Sequence, residues 1–174
     1  MSSIITLFSS ARRHGNTGKL IDNIAQNIDM EVIDLDKANI APFDYDNKNK
    51  DDDFLPLIEK VLNHDHIIFA SPVYWYSVSP GMKIFLDRIS DLLIFPELLD
   101  TGRKLRGKQA SIVSTHYKLS PTFNNMLLET FGYLGMHYFD ALHINCQNGW
   151  DYEKNKTDIA SFSNKLHRLY NSKI

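Results

Sequence analysis

The chain has 174 residues, of which 43% are hydrophobic and 23% are charged, and its formal net charge is −2. Such a composition is typical of a globular domain, and the length suffices for a substantial core, so we predict a single domain spanning residues 1–174. The small net charge excludes the strong field with which nucleic-acid and membrane-surface binders attract their partners.

Cysteine usage and the lengths of the apolar runs narrow the class of protein further. Cys146 is the sole cysteine, which excludes an intramolecular disulfide and a cysteine-based metal cage. The apolar run at residues 4–8 is too short for a signal peptide, and no run is long enough to span a bilayer, so we expect a cytoplasmic protein. His64 and His66 lack further clustered ligands, so we predict no metal site.

Short apolar runs that predict β-strands alternate along the chain with amphipathic segments that predict α-helices. The predicted strands are residues 4–8, 31–35, 66–70, 110–114 and 138–144. The predicted helices lie around residues 20–28, 54–62, 82–93, 123–134 and 159–170. Alternation of this kind is typical of a parallel sheet with helices on both faces. It predicts a flavodoxin-like α/β three-layer sandwich with strand order 2-1-3-4-5, whose ligand site lies at the carboxyl ends of the strands.

The segment after the first strand, residues 9–17, reads SSARRHGNT and leads into a helix. Its candidate phosphate-binding residues are Ser10, Asn16, Thr17 and one of two arginines, Arg12 or Arg13. Hydroxyls and backbone N–H groups at a helix N-terminus supply converging donors, and an arginine offsets the phosphate charge. The segment matches neither the Walker A loop nor the G-x-G-x-x-G fingerprint. The alternative interpretation is a plain turn that caps a helix.

The segment after the third strand, residues 72–77, reads PVYWYS and places three large aromatic side chains at the expected ligand edge. A flavin ring needs flat partners on its faces and hydrogen bonds along its pyrimidine edge, and aromatic side chains and backbone amides supply both. Because Tyr and Trp are also enriched in subunit contacts, an interface or core cluster is the alternative interpretation. The neighbouring phosphate-type loop favours the ligand interpretation.

These two loops resemble those of the NAD(P)H-dependent FMN reductase family. Residues 9–17 match the family pattern Gly-Ser-x-Arg-x-x-(Gly/Ser)-Asn-Thr with serine in place of the first glycine. Residues 71–88 match its second pattern, which runs from Ser-Pro-x-Tyr to Lys-x-Phe-Leu-Asp-Arg, and residues 135–138 also resemble the family. The resemblance implies a homodimer with FMN near the subunit boundary.

The resemblance also implies the residues that surround FMN. The phosphate would contact Ser10, Arg12, Asn16 and Thr17. The ribityl chain and the ring would be bordered by Pro72, Val73, Tyr74 and Trp75. After the fourth strand the chain reads THYK where relatives often have a glycine-rich turn, and Thr115 and Tyr117 are the candidates there. His116 lies on the same edge, where it would tune the flavin charge or touch substrate, with a plain surface histidine as the simpler alternative. Cys146 is expected to be a structural or incidental thiol.

The function expected from these observations is an FMN-dependent NAD(P)H oxidoreductase. NADPH or NADH would deliver hydride to the flavin N5, and the electrons would pass to a small acceptor such as a quinone, a nitro- or azo-aromatic compound, or free flavin. Because the flavin carries the chemistry, no side chain is predicted to act as a catalytic acid or base. The alternatives are a flavodoxin-type electron carrier, disfavoured by the net charge of −2, and a non-enzymatic flavin-binding or interaction module.

Overall fold

The computed structural model describes residues 3–171, and all five predicted strands occur in it as one parallel sheet. The strands are β1 Ile4–Phe8, β2 Glu31–Asp34, β3 His66–Ala70, β4 Gln109–His116 and β5 His137–Asn145. Their order is β2-β1-β3-β4-β5, and each neighbouring pair is parallel. The predicted flavodoxin-like fold is therefore confirmed.

The described chain contains seven α-helices, two more than the sequence predicted. They are α1 Asn16–Ala25, α2 Phe54–Leu62, α3 Pro80–Arg88, α4 Asp91–Ile94, α5 Leu99–Arg103, α6 Pro121–Leu134 and α7 Tyr152–Asn171. Two short 3-10 segments, Leu35–Lys37 and Pro96–Leu98, accompany them. Within residues 3–171 none of the helices has the combination of length and apolar character that crossing a bilayer requires.

The prediction of one continuous helix over residues 82–93 is wrong. The helix α3 ends at Arg88, and α4 begins at Asp91. Around the break, hydrogen bonds join residues three apart, from Ser90 N–H to Asp87 O at 3.0 Å and from Leu92 N–H to Ile89 O at 3.0 Å. Ile89 and Leu92 are both buried, so the apolar stripe continues through the break. The spacing of apolar residues indicates which side chains face the core, but it does not indicate where the backbone hydrogen-bond pattern changes.

Two apolar clusters cover the two faces of the sheet. Successive residues of a strand point to opposite faces, and accordingly Ile5 and Leu7 of β1 belong to the cluster under α2, α3 and α6. Ile4 and Phe8 of the same strand belong to the cluster under α1 and α7. A central strand that is buried on both faces explains why the sequence shows an apolar run that only Thr6 interrupts. The carboxyl ends of the strands are left for polar loops.

His66, at the start of β3, is a buried polar residue that belongs to the fold. Its Nδ1 lies 3.1 Å from the Tyr170 hydroxyl, and its Nε2 lies 2.8 Å from the Ser111 hydroxyl. Burial lowers the pKa of His66 to about 4 from its ordinary value of 6.5. The imidazole is therefore neutral at physiological pH and serves as a hydrogen-bonding element between β3, β4 and α7.

This depressed pKa predicts a specific loss of stability in mild acid. Because the unfolded chain takes up the proton near pH 6.5 and the folded chain only near pH 4, stability is full above pH 6.5 and falls as the pH falls below it. The His66 contribution to the free energy of unfolding should drop by about 2 kcal/mol at pH 5. Urea unfolding at pH 7.5 and pH 5 measures it. His66→Gln should show a smaller pH dependence than the exposed control His137→Gln; equal slopes would contradict the assignment.

Candidate functional site

A cavity of about 480 Å³ opens at the carboxyl ends of β1, β3 and β4. All ten residues predicted from the sequence line it: Ser10, Arg12, Asn16, Thr17, Pro72, Val73, Tyr74, Trp75, Thr115 and Tyr117. Five further residues complete the lining: Gly15, Tyr76, His116, Lys118 and Cys146. The volume lies within the range of about 300–1,000 Å³ usual for small-molecule sites. Three loops that are distant in sequence thus converge on one pocket.

The first turn of α1 presents free backbone donors to this cavity. The helix begins at Asn16, and its N-cap residue is Gly15, which has no side chain with which to cap it. The first N–H groups of a helix have no intrahelical acceptor and carry the positive end of its dipole. The first turn contains no acidic residue that would neutralise this end. An anion at the helix start satisfies these donors.

Close backbone packing shapes the loop that precedes α1. A Cβ atom at Gly18 would lie 1.7 Å from the carbonyl oxygen of Arg13, so no larger residue fits unless the loop moves. The loop closes on itself where the Gly15 N–H donates to the Arg12 carbonyl at 3.0 Å. Sequence analysis did not identify Gly18 as important. A glycine in the first turn of a helix does not indicate that another part of the backbone, here the Arg13 carbonyl, packs against it.

The structure separates the two arginines that the sequence left as alternatives. Arg13 pairs with Asp22 at 2.6 Å and lies 5.2 Å over the ring of Phe8, and the hydrogen bond to Asp22 raises the pKa of Arg13. Arg12 lines the cavity, and no carboxylate among residues 3–171 lies within ion-pair distance of it. Of the two arginines, Arg12 is therefore the one available to an anionic ligand.

Asp36 holds the phosphate-type loop in place, and sequence reasoning missed it. The Ser10 N–H donates to Asp36 Oδ2 at 2.7 Å, which links the loop after β1 to the segment after β2. Gly81 allows this close approach, because a Cβ there would lie 2.5 Å from Asp36 Oδ1 and 2.7 Å from Ser9 Oγ. Asp36 could have been identified from its position just past the second strand, at the same edge of the sheet as the other site residues.

Three buried serines join the loops after β1 and β3. The Ser79 N–H donates to Ser71 Oγ at 2.8 Å, and the Ser79 hydroxyl lies 2.7 Å from Ser9 Oγ. Ser79 is the N-cap residue of α3, but its side chain makes no cap hydrogen bond, because its hydroxyl is directed to Ser9. These bonds fix the spacing of the two loops, which follow neighbouring strands and both line the cavity.

The aromatic loop ends in a tight two-residue turn. Tyr74 N–H donates to Ser77 O at 2.9 Å, and Ser77 N–H donates to Tyr74 O at 3.0 Å. Between them Trp75 and Tyr76 adopt positive φ angles of 47° and 67°. At the base of the loop the Val73 N–H donates to the Thr115 carbonyl at 2.9 Å. The backbone therefore holds the aromatic side chains at the cavity rim.

The third wall, at the end of β4, is polar and contains Lys118 as its one charged side chain among the lining residues. The hydroxyls of Thr17 and Thr115 lie 2.6 Å apart and connect α1 to β4. Burial lowers the pKa of His116 and raises the pKa of Cys146. Within the described chain His116 Nδ1 is buried without a hydrogen-bond partner, and Cys146, expected to be incidental, lines the cavity as a buried thiol.

A five-stranded parallel sheet of this order, with a helix start and an aromatic turn around a pocket at its carboxyl edge, defines the flavodoxin-like class of α/β proteins. The sequence profile of the NADPH-dependent FMN reductases matches residues 2–151. The chain belongs to that family. The family predicted from the two loop patterns is thereby confirmed.

One named relative agrees with the family assignment, and two solved structures agree with the fold. YwqN of Bacillus subtilis, whose name places it among NAD(P)H-dependent FMN-containing oxidoreductases, is 32% identical over 118 residues, or 64% of this chain. The match spans 65% of the length of YwqN. The Trp repressor binding protein of B. subtilis superposes with a TM-score of 0.75 and 24% identity, covering 95% of this chain and 98% of that one. An FMN-dependent NADH-azoreductase of Bacillus anthracis, solved with FMN, superposes with a TM-score of 0.69 and 11% identity. That superposition covers 94% of this chain and 98% of the azoreductase. At these identities the two structures support the fold alone.

Proposed function

We propose that the protein is an FMN-dependent oxidoreductase that takes hydride from NADPH or NADH and passes the electrons to a small acceptor. Acceptors of the expected classes are quinones, nitro- or azo-aromatic compounds, and free flavin. The observation that carries the proposal is the convergence of ten residues from three loops on one cavity of about 480 Å³, in a chain that belongs to this family. Family membership also favours an enzyme over an electron carrier.

The residues around the cavity fit the phosphate end of FMN. Free N–H groups at the start of α1 and the Ser10 hydroxyl supply neutral donors, and Arg12 supplies a cation. This donor set suits a phosphomonoester because it offers several hydrogen bonds and one compensating charge. A side chain at Gly18 would drive the loop into a different shape. The proposed phosphate site thus depends on backbone geometry as much as on side chains.

The remaining walls fit the ribityl chain and the ring. Pro72, Val73 and Tyr74 lie nearest to the end of β3, and Trp75 lies furthest out. Thr115 and Tyr117 line the cavity from the end of the neighbouring strand β4. When bound, FMN supplies the capacity to accept and release hydride. The protein orients the reacting partners, excludes water from them and surrounds them with polar and aromatic groups held in place by the fold. No side chain needs to move a proton during hydride transfer.

An anaerobic titration of the FMN-loaded protein with NADPH and then NADH tests the proposal. Rapid loss of the flavin absorbance at about 450 nm with either nucleotide is the expected result. Bound FMN that stays oxidised would favour a flavodoxin-type carrier instead. A protein that does not bind FMN would favour an interaction module and remove the cofactor from the site.

Arg12→Ala should weaken FMN binding by about 1.5–3 kcal/mol, since one charge-assisted hydrogen bond to the phosphate is lost. A fluorescence titration of the cofactor-free protein with FMN measures the Kd. Arg13→Ala is the matched control, because Arg13 is engaged with Asp22, and its Kd should stay near that of the unmodified protein. Equal effects of the two substitutions would contradict the placement of Arg12 at the phosphate.

We further propose that the protein works as a homodimer in the cytoplasm. Leu93 and Ile94 of α4 are apolar side chains that are 40% and 48% exposed, and they provide a candidate contact surface. Dependence on NADPH or NADH supports a cytoplasmic location. Sedimentation equilibrium of the FMN-loaded protein distinguishes a monomer, a dimer and a tetramer.

A further inference from the structure

A polar cluster lies behind the cavity, between α6 and the ends of β4 and β5. Because side chains alternate along a strand, Ser114 and His116 lie on the same side of β4 as Ile112, which belongs to the apolar cluster under α6. On β5, His143 is opposite Ser114, and its Nδ1 lies 2.6 Å from the Ser114 hydroxyl. Phe123 of α6 meets His143 edge-on, with ring centroids 6.3 Å apart. The two histidines therefore share one seam between the sheet and α6.

Three side-chain atoms in this seam have unused hydrogen-bonding capacity. Among residues 3–171, His116 Nδ1, His143 Nε2 and Asn124 Oδ1 are buried without a hydrogen-bond partner. Asn124 precedes the buried residues Leu127 and Phe131 at helical spacing, so it lies on the face of α6 that packs on the sheet. Each unpaired buried polar atom costs about 1–3 kcal/mol. Three such atoms on elements that pack together point to a small polar molecule bound among them.

Both imidazoles are neutral at physiological pH. Burial is the main reason that the pKa of His143 falls to about 4, and the charge of nearby His116 also lowers it, against a smaller effect of Asp140. Burial lowers the pKa of His116 as well. A neutral imidazole has one N–H and one lone pair, so its hydrogen-bond partners determine which nitrogen carries the proton.

The Ser114 hydroxyl determines the position of the proton on His143. Within the part of the chain that the structure describes, this hydroxyl has His143 Nδ1 as its hydrogen-bond partner and no other acceptor, so its hydrogen is directed to that nitrogen. His143 then carries its own proton on Nε2 and donates from there. Asn124 Oδ1 is a carbonyl oxygen, which only accepts.

We propose that one ordered water binds His143, Asn124 and His116 and thereby makes His116 a hydrogen-bond donor towards the cavity. The water accepts from His143 Nε2–H and donates to Asn124 Oδ1, so its second hydrogen goes to His116 Nδ1. Buried waters commonly make about three hydrogen bonds of this kind. His116 lines the cavity with its Nδ1 buried, so its proton stands on Nε2, on the cavity side.

The inference rests on the proposed function, because the molecule that receives this hydrogen bond is the electron acceptor. A quinone develops negative charge on its oxygen as it takes hydride, and a preorganised N–H donor stabilises that charge. Because the imidazole is neutral, the donor is present throughout the physiological pH range. Ser114, His143 and Asn124 are positioning residues, since they act on the acceptor only through His116.

Nitrogen-15 NMR of the full chain labelled at histidine tests the network without turnover. At neutral pH, His116 and His143 should each carry the proton on Nε2, both with and without FMN. Asn124→Leu keeps the size of the side chain and removes the acceptor, so the water loses its fixed orientation and His116 should become a mixture of two tautomers. The control Asn125→Leu changes the exposed neighbour on α6 and should leave the histidine signals unchanged.

Turnover with menadione, a quinone, tests the use of this donor. The kcat of Asn124→Leu should fall about threefold to tenfold with little change in KM, since a hydrogen bond made to the developing oxyanion is weakened. Asn125→Leu should keep the kcat of the unmodified protein.

The outcomes separate the network, the donor and the proposed function. A His116 proton on Nδ1, or a mixture of tautomers in the unmodified protein, would overturn the network. The expected tautomers combined with an unchanged kcat in Asn124→Leu would overturn the role of His116 as donor to the acceptor. Failure of the unmodified protein to bind FMN would overturn the proposed function, and the spectrum of the cofactor-free chain would still decide the network.

Discussion

Gly18→Ala should raise the Kd for FMN by at least about 100-fold while the protein still folds. The new Cβ would lie 1.7 Å from the Arg13 carbonyl oxygen, so the loop before α1 must move. That movement displaces Arg12 and the N–H groups at the helix start together. The loss of two charge-assisted hydrogen bonds costs about 3 kcal/mol or more, which corresponds to this change in Kd. Alanine itself is favourable inside a helix, so the helix survives.

The chain offers a matched control in α6. Gly132 is also a helical glycine, but nothing lies within 4 Å of a Cβ built there. Gly132→Ala should raise stability by about 1 kcal/mol and leave FMN binding unchanged. Fluorescence titration measures binding, and thermal unfolding of the cofactor-free proteins measures stability. Unaltered FMN affinity in Gly18→Ala, with its fold intact, would show that the phosphate is not held at this loop.

The strands of the sheet were predicted well from the sequence, because buried parallel strands appear in a sequence as short runs of apolar residues. The runs at residues 4–8 and 66–70 agree with β1 and β3 at both ends, since both faces of these strands lie under helices. β4 and β5 extend beyond their predicted limits to His116 and Asn145. Polar residues end an apolar pattern before the hydrogen-bond ladder itself ends.

The helices show where pattern reasoning fails. α5, Leu99–Arg103, is short, contains a glycine and has no apolar period, so it left no signal. The break between α3 and α4 was hidden because the apolar stripe continues across it through Ile89 and Leu92. In both cases tertiary packing determines the backbone conformation, and the spacing of apolar residues does not indicate that conformation.

The residues that line the cavity could be predicted from the sequence, but the contacts that support them could not. Fold topology places the loops after β1, β3 and β4 together, and the family resemblance selected the ten residues within those loops. The choice between Arg12 and Arg13 depends on Asp22, nine residues beyond Arg13, which the loop pattern does not include. Asp36 and Gly18 act through contacts that exist only in the folded chain.

Arg88 belongs to the second loop pattern, yet it lies outside the cavity and is fully buried. Its Nε donates to Asp91 Oδ2 at 2.8 Å, and its Nη1 donates to the Ala41 carbonyl at 3.0 Å and to the Asp52 carboxylate. The guanidinium lies 4.7 Å over the ring of Phe54. Arg88 therefore fastens residues 41–54 to α3.

The two carboxylates respond differently to this burial. Burial alone would raise the pKa of Asp52, but hydrogen bonds from Arg88, Phe54 N–H and Ala41 N–H together lower it. Burial raises the pKa of Asp91 and outweighs the effect of Arg88. Arg88 lowers the pKa of both carboxyl groups against the effect of burial.

Arg88→Met should reduce the free energy of unfolding by about 3–5 kcal/mol, because it leaves two buried carboxylates without their cation. The control Arg103→Met breaks an exposed ion pair with Asp100 and should cost less than about 1 kcal/mol. Urea unfolding at pH 7 measures both.

The pH dependence of this loss identifies its cause. Without Arg88 the carboxylates have raised pKa values, and a carboxyl group whose folded-state pKa is raised destabilises the protein above that pKa but not below its unfolded value near 3.8. The deficit of Arg88→Met should therefore shrink as the pH falls from 7 towards 4. Adding Asp52→Asn and Asp91→Asn should recover part of the stability at pH 7. A deficit that does not change with pH and is not reduced by these substitutions would show that Arg88 acts through packing on Phe54 instead of through charge.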